Sequence, residues 1–221
     1  MFGISTDPYF DRSVLVTSAT SGLGPDIVRA LVRRGARPIA VARDQIAISR
    51  LSDKLGGSVV TLARDLADTD APVAIARWIV DEHRDLAGMI CNVDATGRSR
   101  LNGRLIAPLS VLGHLAALLP RHVDLRVGLV VQNPAPRRDL ARISNAVRGF
   151  DRKASLGICL TVAAHQQPLE EADTQSRRLM AETALDAMTA RQAFVLLGGK
   201  GGWPGRWRGA RNAGKAENRL A

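Results

Sequence analysis

The chain has 221 residues, 46% apolar and 24% charged, an ordinary globular composition and a length that suits one domain of about 150 to 250 residues with a sizeable core. Lys and Arg number 31 against 21 Asp and Glu, a net charge of +10 and a pI near 11, a balance that points to an anionic partner. Six of the basic residues lie between positions 200 and 221 with only Glu217 opposing them, so this tail carries +5 and the other 199 residues the remaining +5. Cys91 and Cys159 stand far apart inside apolar runs, which excludes a disulfide framework or a zinc site and suits the reduced cytosol. The four histidines share no metal-ligand spacing. The first twelve residues hold no uninterrupted apolar core of a secretory signal, and no run approaches the ~18 apolar residues of a membrane span. A soluble, cytoplasmic, metal-free protein is expected.

Taken in chain order, residues 14–17 (VLVT) form a β-branched run that breaks into SATSGLG. Ile27, Ala30, Leu31 and Arg34 then recur at helical spacing. Residues 38–42 (PIAVA) read as a second strand, 44–55 as a helix closed by Gly56 and Gly57, and 58–63 as a third strand. A helix is expected over 72–83, a strand over 86–92, a helix over 105–119 and a strand over 126–131. A helix near 139–154, a strand over 158–164, a helix over 170–188 and a strand over 193–197 complete the series. Seven short apolar strands separated by six amphipathic helices describe an α/β fold, a Rossmann-like αβα sandwich on a doubly wound parallel sheet. This domain covers residues 1–199. Residues 200–221, rich in Gly, Arg and Ala without hydrophobic period, read as a basic disordered tail.

The informative segment is Thr17-Ser18-Ala19-Thr20-Ser21-Gly22-Leu23-Gly24 between the first strand and the first helix. Glycines let backbone approach a pyrophosphate, and the N–H groups and positive dipole end of the helix favour its charge. Pro25 suits a first helical turn, where its missing N–H would have had no partner. The plainer reading is a glycine-containing connection that binds nothing. The flanking strand and helix favour the phosphate cradle.

This turn resembles that of the short-chain dehydrogenase/reductase (SDR) family, Thr-Gly-x-x-x-Gly-x-Gly, at Thr17, Gly22 and Gly24, with Ser18 in place of the first glycine. The resemblance extends through Ala42-Arg43, Asp65-Leu66 and Asn92. It implies a nicotinamide dinucleotide held by Thr17, Ser18, Ser21, Gly22, Leu23, Gly24, Arg43, Asp65, Leu66 and Asn92, with Asp65 meeting the adenine ring. The acid that holds the ribose hydroxyls in NAD-preferring members is absent at Ala42, and the guanidinium of Arg43 suits a 2′-phosphate. NADP(H) is therefore expected over NAD(H). Two departures lower the expected affinity or abolish it. Ser18 carries a Cβ into the tightest part of the turn, and Asp94 replaces a family glycine near the cofactor, repelling anions unless Arg98 or Arg100 neutralises it.

The family's chemistry rests on a Tyr-x-x-x-Lys pair aided by Ser and Asn, in which the lysine lowers the tyrosine pKa. The resemblance puts Leu140 and Ser144 at the pair's positions, and neither can exchange the proton. Lys153 lies about 13.5 Å further along the expected helix. The sole tyrosine, Tyr9, precedes the first strand. Asp139 and His165 are the first substitutes to consider as acids, and no catalytic residue is assigned.

Three functions compete on this basis. One is an SDR-type oxidoreductase with degenerate or relocated catalytic groups. Another is a non-catalytic pseudoenzyme working as a homo-oligomer or with an active SDR homologue. The third and least supported is a nucleic-acid-binding protein that grips its partner through the arginines and tryptophans of the tail. The substrate is not legible, because substrate loops of this fold follow the later strands, where the resemblance is faintest.

Overall fold

The computed structural model describes residues 7–83, 85–94, 101–120, 124–132, 159–165, 172–191 and 194–197. The expected helix near 139–154, with Asp139, Leu140, Ser144 and Lys153, lies outside the described residues, as do Arg98, Arg100 and the tail over 200–221.

Strands β1 (Ser13–Thr17), β2 (Arg37–Ala42), β3 (Val60–Ala63), β4 (Leu86–Asp94), β5 (Arg126–Gln132), β6 (Cys159–His165) and β7 (Phe194–Leu197) form one sheet. Its order is β3-β2-β1-β4-β5-β6-β7 with every pairing parallel. The chain winds outward from β1 to β3, then crosses to β4 and winds the other way. This is the expected doubly wound α/β architecture, and its order reverses between β1 and β4, where such sheets open a crevice at their C-terminal edge.

Helices α1 (Gly24–Arg33), α2 (Gln45–Asp53), α3 (Ala71–Glu82), α4 (Leu101–Leu118) and α5 (Thr174–Thr189) cover the two faces. Side chains alternate across each strand, and β1 splits its apolar residues accordingly. Leu15 joins Ile39, Met89 and Leu129 beneath Ile75 and Ile79 of α3 and Leu112 of α4. Val14 and Val16 join Ala40 and Ile90 beneath Ile27 and Leu31 of α1, Ile48 of α2 and Leu185 of α5. All five residues of β1 are buried. Such burial on both faces explains why the parallel strands read as continuous apolar runs rather than alternating ones. Each fully buried Leu, Ile or Val contributes about 1.5–3 kcal/mol relative to exposure.

Helix starts differ from the sequence expectation. α4 begins at Leu101, one turn before residue 105. α5 begins at Thr174 rather than near 170, because the Asp173 carboxylate caps it by accepting the Ser176 N–H at 2.6 Å.

Candidate functional site

The β1–α1 turn reverses direction by visiting the left-handed region twice, at Ser18 (φ +50°) and Gly22 (φ +53°). Glycine accepts this freely, whereas a residue with a Cβ is strained by about 1–2 kcal/mol, so Ser18 stores strain where the family pattern has none. Gly24 is required for a different reason. A Cβ there would stand 2.5 Å from the carbonyl oxygen of Ser18 and 2.7 Å from that of Ala19, both backbone atoms that cannot step aside.

The turn is pinned from behind. Asn92, buried in β4, donates from Nδ2 to the carbonyls of Ser18 at 3.1 Å and Ser21 at 2.8 Å. The N–H and hydroxyl of Ser21 both donate to the Ser18 carbonyl, at 3.1 and 3.2 Å. Thr17, also buried, donates its hydroxyl to the Ile90 carbonyl at 3.4 Å, and the Leu23 side chain is anchored in the core. Asn92 thus acts on the shape of the turn. In front, the N–H groups of Thr20, Gly22 and Leu23 meet no acceptor among the described residues. Leu23 caps α1 without a side-chain hydrogen bond. The helix therefore presents uncompensated N–H dipoles at the C-terminal edge of the central strand, the electrostatic requirement for a phosphate.

Beside this turn, β2 and β3 end in register at Ala42 and Ala63, and each is followed by an exposed arginine, Arg43 and Arg64. The Arg64 N–H continues the ladder to the Ala42 carbonyl at 2.9 Å, which brings the two residues side by side on the backbone. Neither forms an ion pair among the described residues. Asp44 does not oppose Arg43, since one of its carboxylate oxygens caps α2 by accepting from Ile46 and Ala47. Asp65 accepts the Ala67 N–H at 2.9 Å through Oδ1, leaving Oδ2 for a donor, and Leu66 packs against the α3–α4 side of the core. This edge offers exposed cations and a carboxylate acceptor side by side. The backbone of the turn and the donors around it fit a dinucleotide phosphate.

Neither Tyr9 nor Cys91 offers proton-transfer chemistry at this edge, where His165 ends β6. Tyr9 is fully buried near Gly88 and Val14, at the start of β4 and β1, the opposite edge of the sheet. Burial pushes its phenol far above the ordinary 10, so it stays protonated and out of reach. Cys91 is buried in β4, and desolvation pushes its thiol up to about 12, which removes it as a nucleophile. Among the described residues no cluster of His, Cys, Asp and Glu could hold a metal ion, and no helix is long and apolar enough to cross a membrane.

The short chain dehydrogenase family profile matches residues 12–103, the span that contains the turn, Arg43, Asp65 and Asn92. Over this span the chain is similar to the short-chain dehydrogenase/reductase family. It is 34% identical over 91 residues to galactitol 2-dehydrogenase (L-tagatose-forming) of Cereibacter sphaeroides, a match covering 41% of this chain and 34% of that enzyme. The chain spans about a third or less of the length of the curated relatives it matches. Among SDR structures, a metagenomic short-chain oxidoreductase in complex with NADP superposes with a TM-score of 0.66 at 19% identity, over 86% of this chain and 97% of that one. YwfH, an NADPH-dependent reductase involved in bacilysin biosynthesis, superposes with a TM-score of 0.62 at 15% identity, over 84% and 98%. At these identities the SDR structures speak for the fold.

Sequence reasoning overlooked the support that α5 gives the β1–α1 turn. Asp26, in the first turn of α1 and 7% exposed, accepts from Arg29 at 2.9 Å and from Nε and Nη2 of Arg177 at 3.0 and 2.8 Å. The same Arg177 donates to the Gly22 carbonyl. A separation of 151 residues between Asp26 and Arg177 leaves no periodic or local signal that could have joined them. Arg64 was legible in principle, since it holds the same place after β3 that Arg43 holds after β2.

Proposed function

We propose that this SDR-like protein binds a nicotinamide dinucleotide, takes NADP(H) in preference to NAD(H), and lacks ordinary ketone reductase activity. The observation that carries the reading is the uncapped start of α1, with the free N–H groups of Gly22 and Leu23 lying at the same sheet edge as the exposed Arg43. The pyrophosphate would meet the turn, the 2′-phosphate Arg43, and the adenine the free oxygen of Asp65. The cofactor when bound would supply a hydride donor or acceptor. Its usual proton-transfer partner is missing from the sequence at Leu140 and Ser144, and Tyr9 lies at the wrong edge to replace it.

The position of Tyr9 also favours a second reading, a cytoplasmic pseudoenzyme that serves as a binding or regulatory subunit, either as a homo-oligomer or beside an active SDR homologue. Titration of the purified chain with NADPH and NADH, followed by a turnover assay on a broad panel of ketones and aldehydes, tests both. Tighter binding of NADPH with no cofactor consumption is expected. Turnover in the usual range of about 1 to 10³ s⁻¹ would overturn the reading and direct mutagenesis to Asp139 and His165. The double substitution Leu140→Tyr with Ser144→Lys should bring slow NADPH oxidation if the alignment behind it is right.

A further inference from the structure

The outer face of the α1–α5 pair carries a cleft of about 410 Å³ lined by Arg29, Arg33, Arg177 and Arg178, with Asp26 and Thr174. A volume of this size lies within the range of small-ligand pockets. Its charges do not cancel. Asp26 answers Arg29 and Arg177, and Glu182 answers Arg33 at 2.7 Å while also holding Arg34 at 2.8 Å. Four guanidinium groups against these two carboxylates leave a net excess of positive charge.

The donors are as unbalanced as the charges. Arg29 keeps Nε and Nη2 free, Arg33 and Arg177 each keep Nη1 free, and Arg178 has no ion pair or acceptor among the described residues. Arg178 also sits in the second turn of α5, where the positive end of the helix dipole opposes a cation. Arg177 has Asp26 and the Gly22 carbonyl to offset that penalty, and Arg178 has no such partner among the described residues. An anion in the cleft would satisfy the spare N–H groups and relieve the repulsion among the four cations, and planar guanidinium forks match phosphate oxygens in bidentate fashion.

We infer that this cleft is a second anion site, separate from the dinucleotide edge, and that it takes a small ligand with two or more phosphate charges. The confined volume favours a small polyphosphate over a nucleic-acid strand, which needs an extended groove.

Calorimetric titration of the full chain with inorganic pyrophosphate at low ionic strength tests the site. One pyrophosphate is expected in the cleft, told apart from any held by the β1–α1 turn because only the cleft contains Arg178. Arg178→Glu should weaken it at least ~10-fold, as loss of a charge-assisted contact does, without lowering the melting temperature of the free protein. Arg29→Ala should weaken it as well. Arg43→Ala, at the dinucleotide edge, should leave pyrophosphate affinity unchanged. Absence of binding, or binding indifferent to both Arg178→Glu and Arg29→Ala, overturns the proposal, as does capture of a single-stranded oligonucleotide in place of pyrophosphate. A chain that binds pyrophosphate through Arg178 yet ignores NADPH upholds this cleft and removes only the cofactor reading.

Discussion

The two edges of the sheet are built to opposite specifications. Near the strand starts, the Asp85 carboxylate accepts the Ser13 N–H at 2.9 Å, the Ser13 hydroxyl at 3.0 Å and Arg37 at 2.5 Å, while its carbonyl accepts Arg12 at 2.8 Å. That cluster ties β1, β2 and β4 together and has little left to offer a ligand. At the strand ends, Ser18 is strained, the N–H groups of Thr20, Gly22 and Leu23 are free, and Arg43 and Arg64 stand without ion pairs among the described residues. The Asp85 cluster is saturated, although the Tyr9 hydroxyl and Arg126 Nε are buried near the strand starts with no hydrogen-bond partner among the described residues. The unsaturated groups at the strand ends, by contrast, are exposed to donors and acceptors from outside.

The sharpest way to break this contrast is Gly24→Val. Its Cβ would meet two backbone oxygens at 2.5 and 2.7 Å, so α1 must move off the turn. A loss of about 1–3 kcal/mol is expected from such overpacking, together with loss of NADPH binding, read by denaturant unfolding and by cofactor fluorescence. Full stability and affinity would mean that α1 does not rest on the turn. Arg43→Ala isolates the ligand edge. Loss of one charge-assisted pair weakens NADPH by about 1.5–3 kcal/mol, roughly 10- to 150-fold, with NADH little changed. Equal weakening of both would show that Arg43 does not read the 2′-phosphate.

The N-terminal part of the fold was legible because each of its signals is local. Residues 14–17, the turn and the apolar face of α1 follow one another without a gap, and Pro25 marks the helix start. The same holds for the place of Asp65, just past the end of β3. What escaped reading depends on distance in the chain. Arg177 reaches Gly22 and Asp26 only because α5 lies beside α1, and Arg34 holds Glu182 and Asp186 for the same reason. Ser18 was read as a Cβ entering a tight place, whereas its left-handed backbone is a property of the whole turn, set in part by Asn92. The matched span ends at residue 103.

Ser18→Gly tests the strained position by restoring the family residue. Relief of a left-handed Cβ contributes about 1–2 kcal/mol, offset in part by the greater backbone entropy of glycine in the unfolded chain. A net gain in stability below ~1 kcal/mol is expected, with NADPH binding unchanged or tighter. A clear loss of stability would show that the serine hydroxyl or Cβ has a role in the turn that its strain conceals.

Titration of the opposite edge carries the smallest effect. Burial alone would raise the Asp85 pKa, but the hydrogen bonds from the Ser13 hydroxyl and N–H and the nearby Arg37 outweigh it and hold the carboxyl below its ordinary 3.8. A carboxyl that is more acidic folded than unfolded binds fewer protons in the native state, so its stabilising contribution is complete above the unfolded value and fades as pH falls through the native one. Asp85→Asn removes the titrating group. The stability advantage of the wild type over this variant should be constant above about pH 5 and shrink as pH drops through 3.8 and below, because the loss spans the two pKa values. Glu182, which Arg33 and Arg34 hold below its ordinary 4.5 against the opposing effect of burial, is present in both proteins and cancels from the difference. Denaturant unfolding between pH 6 and pH 3 supplies the measurement, with NADPH titration as the control. An advantage that does not vary with pH would mean that Asp85 keeps its proton affinity on folding. A change in NADPH affinity would mean that the two edges are coupled through β1 rather than independent.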